Sequence, residues 1–260
     1  MNVRVWQVTA ALVLAAVSAT ASVQRRTVEY RQGEVVLEGA LVWDTSHAGP
    51  RPGVLVVHQW RGLGDYEHKR AEMLARLGYA VFCADIYGKG VRPGTPQEAA
   101  QLSGTYKEDR PLLQARVRAA LDEFRRHAVV DPTRIAAIGY CFGGTTVLEL
   151  ARSGAVLRGV VSFHGGLGTP NPAERGRVAA RVLVLHGADD PFVPPAEVSA
   201  FEEEMRKAGV DWQLVSYGGA VHSFTDWNAG SDPTRGAAYE EKADRRSWEA
   251  MKVFFDEILK

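Results

Sequence analysis

Five short apolar runs constrain this chain more than any other feature: Gly53–His58, Tyr79–Ala84, Ile135–Gly139, Leu157–Phe163 and Val182–His186. A strand without a polar side must be covered on both faces, as in a helix-covered parallel sheet. The intervening segments have helical spacing. Tyr66–Leu77 carries Ala71, Leu74, Ala75 and Leu77 on one face and is stopped by Gly78, while Leu112–Phe124 aligns Leu113, Val117, Ala120 and Leu121. Further helices are predicted at Thr145–Ala151, Glu197–Lys207 and Ala243–Leu259, and a last strand at Trp212–Tyr217. Val28–Arg31 and Val35–Trp43 read as an opening hairpin around Gln32-Gly33. The alternation predicts an α/β fold with a mostly parallel, twisted sheet and helices on both faces. Gly88–Thr105, rich in Gly and Pro, reads as a surface excursion bordering a substrate pocket.

No linker, repeat or charge block divides the 260 residues, so one domain is expected. Lys plus Arg equals Asp plus Glu at 31 each, which gives no basic surplus for nucleic acid and favours a small-molecule substrate. The N-terminus has Arg4 and no acid, then an apolar Val8–Val17, then Ala19-Thr20-Ala21. That pattern predicts a signal peptide over 1–21, with the domain at 22–260 exported to the periplasm or secreted. The apolar stretch is well short of the ~20 residues that span a bilayer, so no membrane contact is expected after cleavage, and the mature chain is expected to be a monomer. Two cysteines are too few for a disulfide framework. No metal-ligand spacing, phosphate loop or dinucleotide fingerprint occurs, so neither a metal nor a cofactor is expected.

The chemistry concentrates in Gly139-Tyr-Cys141-Phe-Gly-Gly144, which follows one predicted strand and opens one helix. This is the nucleophile-elbow spacing, with cysteine in the reactive place. So tight a turn needs small flanking residues, and the helix N-terminus beneath it favours a thiolate and donates N–H groups to an oxyanion. Elbow enzymes follow the chain order nucleophile, acid, base. Of the seven histidines only His222, in the loop after the last strand, lies beyond the acidic loop after Val182–His186. That loop offers two carboxylates, Asp189 and Asp190.

From about Tyr30 to Leu259 the chain resembles the dienelactone hydrolase family of α/β-hydrolases. The resemblance is carried by His58-Gln-Trp-Arg-Gly-Leu63, Gly78–Tyr87, the elbow, the Asp190 loop and His222-Ser-Phe224. It implies an α/β-hydrolase fold and a cofactor-free hydrolase of an ester or lactone, of the carboxymethylenebutenolidase type. It further implies a Cys141–His222–Asp190 triad, a thioester intermediate, and oxyanion donors at the Trp60 and Phe142 amides. Gln59, Tyr87 and Tyr140 are the implied contacts to thiol or substrate, with Trp227 also near the mouth, and His58 and His164 end strands on the same edge. Two positions depart from the family. Gln59 stands where relatives often carry a glutamate, and Thr225-Asp226 where prototypes carry a substrate-clamping arginine. If the family's sheet order holds, Cys83 lies two strands from the elbow strand, roughly 9–10 Å away, beyond disulfide reach. Two other classes stay open: a catalytically impaired ligand-binding relative, with Gln59 marking lost chemistry, and a thiol-based redox protein.

Overall fold

The computed structural model describes Met1 and residues 22–260; the predicted signal segment lies outside the described residues. Val23–Gln32 (β1) and Val35–Asp44 (β2) form the expected hairpin, longer at its open end than predicted. There follow Arg51–Val57 (β3), Asp65–Arg76 (α1), Ala80–Ala84 (β4), Pro96–Glu108 (α2), Arg110–Phe124 (α3) and Val130–Tyr140 (β5). The second half comprises Phe142–Arg152 (α4), Gly159–Phe163 (β6), Arg181–Gly187 (β7), Pro195–Ala208 (α5), Trp212–Tyr217 (β8) and Glu241–Ile258 (α6). One eight-stranded sheet runs β1-β2-β4-β3-β5-β6-β7-β8, parallel from β4 to β8.

The apolar runs fill both faces, because successive strand residues point to opposite sides. Leu55, Val57, Ala137, Val160 and Val184 pack with Val117 and Leu121 of α3 and Val147 of α4. Val54, Val56, Ile138, Val161 and Leu185 pack with Leu74 of α1 and Phe255 of α6. Each of the Val, Leu, Ile and Phe side chains among these, fully buried, contributes about 1.5–3 kcal/mol. Cys83 on β4 is fully buried two strands from β5, and both cysteines are unpaired, as the sheet spacing requires.

The surface excursion expected over Gly88–Thr105 contains the start of a helix that its composition did not suggest. Only its first part is irregular; α2 begins at Pro96 under a capping box in which Thr95 Oγ1 accepts from the Glu98 N–H and Glu98 Oε2 from the Thr95 N–H. The Gly/Pro composition masked a Thr-Pro-x-Glu helix start. Among the described residues no helix is long and apolar enough to cross a membrane.

Candidate active site

β5 passes into α4 through Cys141, whose φ of 54° and ψ of −115° are strained for an L residue. The turn is sterically enforced. A Cβ on Gly139 would lie 2.0 Å from the Gly143 carbonyl oxygen, and one on Gly143 would lie 2.2 Å from that of Val57. The thiol is thereby held over the N-terminus of α4. His222 lies in the loop after β8, its backbone pinned by Gly236 and Ala238. Its Nε2 is 3.1 Å from Cys141 Sγ, and its Nδ1–H donates to Asp190 Oδ2 at 2.8 Å. Asp190 Oδ1 accepts from the Phe192 N–H, so this buried carboxylate is fixed from two sides.

The adjacent carboxylate behaves differently. Asp189 is exposed, and its Oδ2 accepts from the Gly219 N–H at 2.9 Å, steadying the turn that precedes His222. Electrostatics match the geometry. Burial disfavours the His222 cation, but the Cys141 charge and the Asp190 bond outweigh it and raise its pKa well above the usual histidine range. Burial likewise pushes the Cys141 thiol up, yet the His222 charge and hydrogen bond leave it below the ordinary value. The Phe142 N–H and the Lys107 charge also favour the thiolate.

The loop after β3 carries the other predicted amide. The Trp60 N–H has no acceptor among the described residues, and the loop is braced on several sides. Tyr87 Oη–H donates to the Trp60 carbonyl at 2.9 Å, and Glu67 accepts from the Gln59 and Gly64 N–H groups at 3.0 Å each. His58 Nδ1–H donates to the Gln59 carbonyl while its Nε2 accepts from the Ile86 N–H, so the ring is neutral; burial holds its pKa near 4. Buried as it is, His58 positions the loop and does not face substrate.

The two departures from the family pattern meet each other. Gln59 Nε2–H donates to Asp226 Oδ2 at 3.0 Å, tying the loop after β3 to the loop bearing His222. Gln59 is therefore committed to Asp226 and not to the thiol. A glutamate there would set two carboxylates face to face. Tyr140, expected at the mouth, is fully buried against Tyr66 and Phe163, because it is the last strand residue and points opposite to Cys141. Tyr87 is buried as well and braces Trp60.

Above Cys141 opens a cavity of about 440 Å³ with mainly apolar walls that include Trp60, Phe142, Phe192 and Val193. Ser103 and Lys107 of α2 also reach it; Ser103 falls in the Gly88–Thr105 segment expected to border the pocket, whereas Lys107 lies beyond it, and the Thr95-Pro-x-Glu98 helix start is the signal that would have found it. A polar groove lined by Gln59, Arg61 and Asp226 adjoins it across Trp60 and Ser223. Among the described residues no group of His, Cys, Asp and Glu is arranged to hold a metal ion.

A strained strand-to-helix elbow with Cys141 at its tip, at the carboxyl edge of a mostly parallel sheet, with histidine and acid on later loops, is the arrangement of an α/β-hydrolase fold. The dienelactone hydrolase family model matches residues 37–259, and the chain belongs to that family. Its fold is similar to that of "m3DLH" (43% identity, TM-score 0.88) and of the dienelactone hydrolase-like promiscuous phosphotriesterase P91 from metagenomic libraries (42%, 0.87). Each alignment covers 92% of this chain and 99% of the other. Uncharacterized protein K02A2.1 of Caenorhabditis elegans is 36% identical over 154 residues, 56% of this chain and 94% of that one. The protein is a hydrolase acting on esters or lactones.

Proposed function

We propose that Cys141 is the nucleophile of this hydrolase, with His222 as general base and acid and Asp190 as its orienting carboxylate. The observation that carries the reading is the unbroken contact series Sγ–Nε2 at 3.1 Å and Nδ1–Oδ2 at 2.8 Å on an elbow. The thiolate attacks the ester or lactone carbonyl carbon, and the Phe142 and Trp60 amides receive the oxyanion. Collapse breaks the carbonyl–alkoxide bond, and the His222 imidazolium gives its proton to the departing oxygen. His222 then takes a proton from water, hydroxide adds to the thioester, and the acid leaves with the thiolate regenerated. No cofactor enters these steps.

The small, mostly apolar cavity fits a compact acyl group, and Asp226 beside it disfavours the carboxylate of a dienelactone. The likeness to P91 places activated phosphotriesters in the same substrate screen as esters and lactones. A burst of aryl alcohol equal to the enzyme concentration, with an acyl adduct on Cys141 by intact mass, is the expected result. Turnover retained in Cys141→Ala would overturn the reading. No burst with reversible sulfenic acid at Cys141 would favour the redox alternative, and ligand binding without either would favour the impaired relative. The same reading includes export with cleavage after Ala21; an intact Met1 in the mature protein would refute that part.

A further inference from the structure

The mechanism above makes no use of a buried polar series that reaches the Cys141 backbone amide and the His222 ring. His164 ends β6 with a φ of 39°, in the left-handed region that favours glycine, and is 1% exposed. Its Nδ1 accepts a hydrogen bond from the Cys141 backbone N–H at 3.1 Å, a donor it shares with the Phe163 carbonyl at 3.0 Å. With that nitrogen an acceptor, Nε2 carries the proton, which is donated to Thr225 Oγ1 at 2.7 Å. Thr225 is three residues beyond His222, on the same loop. Its hydroxyl meets Tyr66 Oη at 2.7 Å, and its carbonyl accepts from Arg70 Nη2 at 2.9 Å.

Arg70 anchors the series. It is 2% exposed, pairs with Asp244 of α6 at 2.6 Å, and faces the rings of Tyr66, Tyr140, Trp227 and Trp248. The series thus runs from the nucleophile's own amide, through the third residue after the base, into α1 and α6. The His164 ring also stands edge-on to His222, with centroids 5.3 Å apart. Among the described residues no carboxylate touches His164; burial and the His222 charge hold its pKa well below the usual range. Its lone pair is therefore always available to the Cys141 amide, and it adds no charge beside the His222 cation.

We propose that His164 and Thr225 are a positioning pair that sets the sulfur of Cys141 against the imidazole of His222. The proposal rests on the assignment of Cys141 as nucleophile. A scaffold role alone would leave the reactivity of the thiol untouched once the chain is folded. A positioning role moves it, because the thiolate–imidazolium attraction depends on the distance the pair fixes.

The test compares Thr225→Val, which keeps the shape and removes the hydroxyl, with Thr225→Ser, which restores it. His164→Asn is the second variant, since asparagine tolerates the left-handed backbone and cannot reach Thr225. Alkylation of Cys141 by iodoacetamide is followed by intact mass from pH 5 to 9, with Cys141→Ala as blank, beside kcat, KM and Tm on an aryl ester. In Thr225→Val and His164→Asn, alkylation near pH 6.5 and kcat are expected to fall about tenfold, the worth of one buried hydrogen bond, with the alkylation profile moved to higher pH. KM stays within about threefold, as expected when positioning rather than ground-state binding is lost. Thr225→Ser is expected to recover both rates. Folded Thr225→Val with the wild-type alkylation profile would overturn the proposal, as would a serine variant no better than valine. If Thr225→Val does not fold, His164→Asn decides by the same criterion. A wild type without ester turnover would refute the hydrolase reading and leave the alkylation profiles to judge this one.

Discussion

Asp189 and Asp190 are neighbours of identical chemistry, and the structure gives them different work, so replacing each by asparagine separates them. Asp190 is 4% exposed and bonds the Nδ1–H of a charged imidazole at 2.8 Å. A buried charge-assisted hydrogen bond contributes about 1.5–3 kcal/mol, so its loss alone lowers kcat roughly 10- to 100-fold. An amide in that place also admits the wrong histidine tautomer, which extends the loss toward about 10⁴-fold in serine triads. Asp189 holds one backbone N–H from an exposed position, and its asparagine variant is expected to lose less than about threefold, consistent with the small cost of surface substitutions. Steady-state kinetics on an aryl ester, with Tm measured beside it, reads both. The two variants also differ in pH dependence. The thiolate–imidazolium pair exists above the lowered Cys141 pKa and below the raised His222 pKa. Without the Asp190 charge His222 loses proton affinity and the thiol climbs back, so alkylation of Cys141 reaches its plateau at higher pH. Equal losses at 189 and 190, or an unmoved alkylation profile in Asp190→Asn, would refute this reasoning.

Glu67 is fully buried, and its carboxyl is raised from 4.5 to about 7, chiefly by burial. The folded state holds that proton more tightly than the unfolded chain, so this group's contribution to stability is intact below pH 4.5 and declines as pH rises through 7, by about 3 kcal/mol. Denaturant unfolding across that window is expected to show a shallower pH slope in Glu67→Gln; an unchanged slope would place the titration elsewhere. Gln59→Glu sets a carboxylate against Asp226 and is expected to cost about 1–2 kcal/mol at pH 8, relieved at pH 5 and in the Gln59→Glu/Asp226→Asn double variant. A double variant as unstable as Gln59→Glu alone would count against the contact. Gly139→Ala drives a methyl into the Gly143 carbonyl and is expected to cost more than about 4 kcal/mol, read as loss of soluble, cooperatively unfolding protein. A stable Gly139→Ala variant would mean the turn relaxes more easily than its contacts allow.

Local signals in the sequence were strong where one residue's neighbours dictate its structure. The apolar runs became the parallel strands, because backbone hydrogen bonding and double-sided burial leave such segments no other place in a soluble fold. The elbow was legible because Gly139, Gly143 and Gly144 stand where no side chain fits. The helix over Pro96–Glu108 was obscured by its turn-rich approach, and with it the cavity residue Lys107, although the segment carrying Ser103 was expected beside the pocket. Tyr140 was misplaced because its position beside Cys141 suggested the mouth, whereas as the last residue of β5 it points to the opposite face of the sheet.

By itself, then, the amino-acid order determined the sheet-and-helix layering, the strand-to-helix bend at Cys141 and the order in which Cys141, Asp190 and His222 follow one another, all of which follow from short-range sterics and burial. Which of two adjacent aspartates faces His222, that Gln59 spends its amide on Asp226, and that His164 binds the amide of Cys141 were decided only by tertiary structure. Those contacts join residues 23 to 167 positions apart, and an angle of a few degrees in any of the intervening loops selects which polar atoms come within hydrogen-bonding distance.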